Sequence, residues 1–274
     1  MSGVSPEDFD KLQTLLDSRA GYRLPRERVS LVEHRLGPVA RREGYDSVPA
    51  MLAALWARPI GALGRAVIDS LLNPETWFRR DRAPFETLAR DILPALSRAR
   101  GGRTIRIWCA GCSTGQEAYS IAMAAGEAGV ACEITATDLN PRAIEKARSG
   151  DYTTFEIQRG LSAGAMLHGF EQVEDVWRAR PELRGRIAFA AANILDEPAD
   201  DGRFDIIFCR NLIGEMSPAA RGRALDVIER RLVDDGCLFL GRDERIEADT
   251  LAFRAVADRR GLFVKAPAAA RHAA

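Results

Sequence analysis

Arg106-Ile-Trp-Cys-Ala-Gly-Cys-Ser-Thr-Gly-Gln-Glu-Ala-Tyr-Ser-Ile-Ala-Met123 decides the fold of this chain. Ile105, Ile107 and Trp108 supply the apolar run of a buried strand. Ala110-Gly-Cys-Ser-Thr-Gly115 then turns with almost no side-chain bulk, and Glu117–Ala128 has the pattern of an amphipathic helix. A second strand, Glu133-Ile-Thr-Ala-Thr-Asp138, closes on an acid. A small-residue turn at one strand tip beside an acid at the next is how a doubly wound sheet holds a nucleoside.

Outward from this core, strand-like runs recur at Thr104–Cys109, Cys132–Thr137, Ile187–Ala191, Phe204–Cys209 and Cys237–Gly241. Helical runs lie between them, at Glu117–Ala128, Pro141–Ser149 and Pro218–Leu232. Such alternation predicts an α/β unit with a mostly parallel sheet covered on both faces. Two short terminal strands are expected at Phe253–Val256 and Leu262–Lys265, and the Ala-rich tail Ala266–Ala274 is expected to fray. Residues 151–186 break the alternation and read as a compact insertion. Before it all, residues 1 to about 75 contain no convincing strand. Phe9, Leu12, Leu15 and Leu16 recur at helical spacing, as do Val29, Val32 and Leu36, and Val67, Ile68, Leu71 and Leu72. These predict a small helical bundle in which Gly37-Pro38 interrupts one helix. Asn73-Pro74 ends the bundle, and Pro84–Leu96 reads as a helix into the next unit.

The totals bound the function. Formal net charge is zero, so no whole-molecule field draws the chain to nucleic acid or anionic lipid. No apolar run reaches the roughly 18 residues of a membrane span. The opening Met1–Asp8 lacks the basic and apolar regions of a signal peptide, so a cytoplasmic location is expected. Of the five cysteines, Cys109, Cys132, Cys209 and Cys237 sit in or beside apolar runs as small hydrophobes. Cys109-x-x-Cys112 has no second pair, and His34, His168 and His272 are scattered, so no metal site is expected.

Within the turn, Gly111 and Gly115 are spaced G-x-x-x-G, not the G-x-G-x-x-G of dinucleotide binders. Glu117, in the first helical turn, places negative charge where a pyrophosphate would otherwise sit. It suits a cationic ligand such as S-adenosylmethionine, and it equally suits the positive end of a helix. Asp138 can accept both ribose hydroxyls or cap the helix begun by Asn140-Pro141. Asn193 and Asp196 follow the third strand, where they can meet an adenine edge or turn the chain. Asn211 stands at the tip of the fourth strand, facing the ligand crevice of an open sheet.

Taken together, these motifs resemble the chemotaxis receptor methyltransferase family, CheR. The resemblance covers nearly the whole chain. It runs through Pro74-Glu-Thr-Trp-Phe-Arg-Arg-Asp81 with Pro84-Phe85, Cys112–Met123, Ala136-Thr-Asp-Leu-Asn140, Glu145-Lys-Ala-Arg-Ser-Gly150, Asn193-Ile-Leu195, Phe204–Asn211 and Gly236-Cys-Leu-Phe-Leu-Gly-Arg-Asp-Glu244. It implies a helical N-terminal domain over residues 1–75 and a class I methyltransferase (Rossmann-like) domain over 76–274. A small β-subdomain would be inserted at about 160–190. It implies S-adenosyl-L-methionine as methyl donor and S-adenosyl-L-homocysteine as product. Thr76, Arg80, Gly111, Glu117, Asp138, Asn193, Ile194, Asn211 and Leu212 would line the cofactor site, with Arg80 catalytic. The implied reaction is O-methylation of glutamate side chains on the cytoplasmic helices of chemoreceptors.

Three departures from the family pattern stand out. Arg79 occupies a place where an aromatic is common. Glu215 stands where a tyrosine near the transferred methyl is expected, and its charge would repel an ionised substrate unless protonated or turned away. The closing motif is Gly241-Arg-Asp-Glu244 in place of G-H-S-E. They leave two alternatives open: a catalytically impaired, cofactor-binding regulatory protein, or a methyltransferase for a different substrate with Glu215 as a base. Residues 19–42 carry seven arginines against Glu27 and Glu33, a local net of +5. Such a face could meet acidic receptor helices, or simply be solvated.

Overall fold

The computed structural model describes residues 3–196, 202–246 and 252–266. The chain forms two compact units, one of Met1–Pro74 with Glu215–Gly222 and one of Glu75–Gly214 with Arg223–Ala274.

The first unit holds α1 (Pro6–Ala20), α2 (Val29–Arg42), α3 (Val48–Trp56) and α4 (Ala62–Leu71). Ser5 caps α1 by accepting from the Asp8 N–H at 3.1 Å, and Gly21 ends it at φ 64°. Phe9, Leu12, Leu16, Val32, Leu36, Val67 and Leu71 form its buried interior. The expected break at Gly37-Pro38 does not occur: α2 runs through Pro38 to Arg42. Proline removes one helical hydrogen bond, but Val32, Leu36, Val39 and Ala40 bury the face that spans the site. Glu215–Gly222 joins this unit through backbone bonds, from the Arg23 N–H to the Glu215 carbonyl (2.8 Å) and from the Ser217 N–H to the Gly21 carbonyl (2.8 Å).

The second unit opens with α5 (Ala83–Thr87), a π-helical stretch at Leu88–Ile92 and α6 (Leu93–Ala99). The alternating region follows: β1 (Ile105–Ala110), α7 (Gln116–Ala128), β2 (Cys132–Asp138) and α8 (Pro141–Ser149). The 151–186 region is β3 (Asp151–Tyr152), α9 (Thr154–Gln158), α10 (Ala163–Gly169), β4 (Phe170–Val173), β5 (Val176–Ala179) and α11 (Pro181–Arg184). The chain closes with β6 (Ile187–Ala191), β7 (Phe204–Cys209), α12 (Pro218–Arg231), β8 (Leu232–Leu240), β9 (Phe253–Ala255) and β10 (Leu262–Lys265).

The main sheet has the order β6-β2-β1-β7-β8-β10-β9. Its first five strands are parallel, and β10 and β9 add antiparallel edges. This is the class I methyltransferase fold, with a small antiparallel sheet, β3-β5-β4, between α8 and β6. Arg178 of β5 staples β3 through both oxygens of Asp151, at 2.7 and 2.9 Å. Helix α7, expected to be amphipathic, is buried all round from Gln116 to Ala125 and meets solvent only at its last turn, Gly126–Ala128. Phe208 stacks on Phe239 at 4.4 Å, joining β7 to β8. Strand β8 begins at Leu232, not at Cys237 as its apolar run suggests. A register shift lets Leu232 pair with Phe204 while the exposed Asp234 and Asp235 bulge past. The Ala-rich tail lies outside the described residues beyond Ala266. Among the described residues no helix is long and apolar enough to cross a membrane.

Candidate active site

Strand order reverses at β1, which has β2 on one side and β7 on the other, so the crevice of this sheet opens at the carboxyl ends of these three strands. The turn after β1 enters it. Gly111 adopts φ 75°, and a Cβ there would come 2.9 Å from Leu212 Cδ2. Gly115 adopts φ 95°, and its Cβ would meet Ala147 Cβ at 2.8 Å and the Tyr152 hydroxyl at 2.9 Å. Both glycines therefore answer to backbone conformation and to protein packing, besides keeping the turn slim. The Gly111 and Cys112 N–H groups both donate to the Thr137 carbonyl, at 2.8 and 3.0 Å, fastening the turn to the end of β2.

Asp138 completes that fastening. One oxygen accepts from the Ser113 N–H at 2.7 Å and the other from the Asn140 N–H at 2.9 Å. Asn140, not Asp138, caps α8, through the Arg142 and Ala143 N–H groups. A carboxylate has about four lone-pair positions, so Asp138 retains capacity for two hydroxyls. Burial pushes its carboxyl above the ordinary range, and the two backbone donors partly offset this. The Ala192 N–H donates to the Asp138 carbonyl at 2.9 Å, drawing Asn193 and Ile194 to the same strand tip. Asn193 accepts from the Leu195 N–H at 3.1 Å, which is the turn role, and Ile194 is buried.

Glu117 differs from the free acid pictured from the sequence. It is buried, with one oxygen accepting from Arg210 Nη1 at 2.7 Å and the other from the Cys109 thiol at 3.5 Å. A carboxylate removed from water requires such partners. Burial still raises its pKa, against the pull of Arg210. Burial also holds the Cys109 and Cys112 thiols well above their ordinary values, so neither is a thiolate.

Arg210 was not among the residues singled out from the sequence. Its side chain is fully buried at the end of β7, and its Nη2 donates to the Arg80 carbonyl (2.9 Å) and to Asp81 (2.6 Å). The signal was a charge closing the apolar run Phe204–Cys209, which burial made expensive unless partnered. Glu244 is the second omission. Its carboxylate accepts three backbone N–H groups, from Asn211 (2.7 Å), Gly214 (2.8 Å) and Gly241 (2.7 Å). This holds Asn211 at φ 59° and fixes the loop carrying Leu212.

The segment bearing Thr76 and Arg80 is tightly held. Arg80 stacks on the Trp77 ring at 4.3 Å and donates from Nη1 to the Glu75 carbonyl at 3.0 Å. Arg159 also lies over Trp77, at 4.2 Å, and pairs with Glu75 at 2.8 Å. Phe78 enters an aromatic cluster with Tyr152 and Phe170. Arg79 pairs with Glu127 and donates its N–H to Ser120 Oγ at 2.9 Å, so it sits against α7. Glu215 belongs to the helical unit, where Arg28 reaches it at 3.3 Å and also donates to the Tyr22 hydroxyl at 2.9 Å.

Residues 74–262 match the family model of the CheR methyltransferase SAM binding domain, and residues 7–72 match that of the CheR methyltransferase all-alpha domain. The chain belongs to the CheR methyltransferase family. A relative from Pseudomonas putida KT2440, Chemotaxis protein methyltransferase Cher2, is 33% identical over 87% of this chain and 90% of its own length. Chemotaxis protein methyltransferase 1 of Pseudomonas aeruginosa PAO1 is 35% identical over the same shares. Chemotaxis protein methyltransferase of Vibrio parahaemolyticus is 32% identical over 96% of this chain and 98% of its own. As a CheR family member the chain is an S-adenosylmethionine-dependent methyltransferase. Its residues fit that cofactor: two acids flank a bulk-free turn, and Asp138 keeps acceptor capacity after its backbone bonds.

Proposed function

We propose that this chain O-methylates glutamate side chains on the cytoplasmic helices of chemoreceptors, and so works in the cytoplasm. The observation that carries the reading is the match of both domains to relatives named chemotaxis protein methyltransferases over nearly their full length.

The helical domain, residues 1–75, precedes a catalytic domain, 76–274. Thr76, Gly111, Asn193, Ile194, Asn211 and Leu212 line the cofactor site with the two acids. Asp138 takes the ribose hydroxyls, and Glu117, its charge shared with Arg210, lies near the cationic end. S-adenosylmethionine, when bound, supplies a methyl activated by a sulfonium, so a carboxylate O–CH₃ bond forms as the methyl–sulfur bond breaks and both formal charges vanish. A glutamate with pKa near 4.3 is ionised at neutral pH and needs no general base. The protein's work is alignment and exclusion of water. Arg80 orients the carboxylate with the fork left free by its bond to Glu75. Because charge is lost in the transition state, a tight ion pair would favour the ground state. An arginine already shared with Trp77 and a carbonyl avoids that.

The departure at Glu215 supports this reading better than it supports an impaired protein. Arg28, itself held by the Tyr22 hydroxyl, pairs with its carboxylate, which compensates its charge and disfavours it as a free base.

The test is transfer of labelled methyl to receptors of the same genome, as a base-labile ester, beside a cofactor titration. Arg80→Ala is expected to lose transfer by about 100-fold while cofactor affinity changes less than about fivefold. Cofactor binding with no ester on any cognate receptor would overturn the proposal.

A further inference from the structure

We propose that Arg210 is a positioning residue that clamps the Arg80 segment to the cofactor acid Glu117 through Asp81. The inference rests on the reading that Arg80 handles the substrate carboxylate.

Three observations meet here. First, the fully buried guanidinium of Arg210 divides its bonds between two places far apart in sequence. Nη1 goes to Glu117 at 2.7 Å, and Nη2 goes to the Arg80 carbonyl at 2.9 Å and Asp81 at 2.6 Å. A planar fork is suited to bridge two such partners, whereas an ammonium is not. Second, the clamped segment is conformationally costly. Arg79, Asp81 and Arg82 all have positive φ, at 49°, 67° and 48°. Three non-glycine residues within four positions hold such angles only where the surroundings over-determine them. Third, the rest of the segment is pinned from the insertion, by Arg159 on Glu75 and Trp77 and by Gly160. A Cβ at Gly160 would come 1.8 Å from the Phe78 carbonyl oxygen. Arg210 supplies the fixed point on the sheet side. One buried cation thus ties the acid of the cofactor cradle to the backbone of the residue that orients the substrate.

Asp81→Asn tests the clamp with limited risk to folding, since its side chain is partly exposed and the Arg210–Glu117 pair stays. Amide exchange at Arg79–Ala83, measured without cofactor or receptor, is expected to speed by about tenfold, the value of one charge-assisted hydrogen bond. In turnover, kcat is expected to fall about tenfold, with receptor KM and cofactor affinity within about twofold. Asp81→Glu, which keeps a carboxylate, is expected to restore most of kcat. Arg210→Lys, where it folds, is expected to lose more kcat than Asp81→Asn and to weaken cofactor binding as well. Unchanged exchange at Arg79–Ala83 in Asp81→Asn would overturn the clamp, as would unchanged kcat in a protein whose wild type turns over. Should the wild type methylate no receptor, the receptor reading fails alone, and the exchange measurement still decides the clamp.

Discussion

Asp138 carries the heaviest demand of any single residue in the crevice. It fastens the β1 turn through Ser113, opens α8 through Asn140, and retains lone pairs for a ligand. Asp138→Ala removes all three and is expected to weaken S-adenosylmethionine binding at least tenfold, with some loss of stability as two backbone donors lose their partner, about 1–3 kcal/mol each. Calorimetry and thermal melting separate the two effects, and unchanged affinity would refute the ribose assignment. The pH dependence follows from burial. Asp138 and Glu117 both hold protons above the ordinary carboxylate range when folded. In the unfolded chain they ionise near pH 4. Between that value and their raised folded values the native state binds more protons, so these two sites lower stability as pH rises through the window. A cationic ligand favours the ionised forms. Cofactor affinity is therefore expected to fall as pH is lowered from neutrality toward the ordinary carboxylate range, and a flat calorimetric profile would contradict it. Arg79, another departure from the family pattern, pairs with Glu127 on α7, and its buried Nε has no hydrogen-bond partner among the described residues.

At the scale of elements, α2 is the instructive case. Periodicity marked its buried face correctly, yet Gly37-Pro38 argued for a break that packing overrides. A proline inside a helix costs about 3 kcal/mol relative to alanine, less the 0.4–1 kcal/mol by which it restricts the unfolded chain. Since Pro38 is exposed, Pro38→Ala is expected to stabilise the helical unit by about 2 kcal/mol, seen as a raised denaturation midpoint. No change, or a loss, would indicate that the missing hydrogen bond is already compensated. The start of β1 shows how a buried acid is accommodated. Asp205 of β7 accepts from Arg100 Nε at 2.9 Å, from the Arg106 N–H at 3.0 Å and from Arg103 at 3.3 Å. The bulge in β8 follows a different rule. It lies in Val233–Asp235, where no apolar alternation exists to be read, and only backbone pairing reveals a strand.

At the scale of the whole molecule, the helical unit is discontinuous in sequence. Glu215–Gly222 bonds back to Gly21 and Arg23, and Met216 bridges Tyr22. Residues 1–74 alone lack these partners. Such a fragment is expected to melt at least about 5 °C below the corresponding transition of the full chain, the effect of 1–2 kcal/mol on a domain of this size. Circular dichroism of fragment and full chain checks this, and equal midpoints would show the segment to be dispensable. What was legible beforehand was whatever depends on local pattern: helical spacing in the bundle, parallel strands as apolar runs, the slim turn and the acid at the tip of β2. The family resemblance supplied the rest of the candidate site by motif. What remained hidden depends on partners remote in the chain. Arg210 reads as an ordinary arginine until Glu117 and Asp81 close on it, Glu244 as one acid among many until three N–H groups converge on it, and Glu215 as an unopposed charge until Arg28 reaches it. Periodicity and turn chemistry are properties of neighbours along the backbone, so the amino-acid order alone determined the α/β frame and the place of its crevice. Desolvation and charge pairing are properties of neighbours in space, so only the folded arrangement decided which acids are free to meet a ligand and which are spent holding the site together.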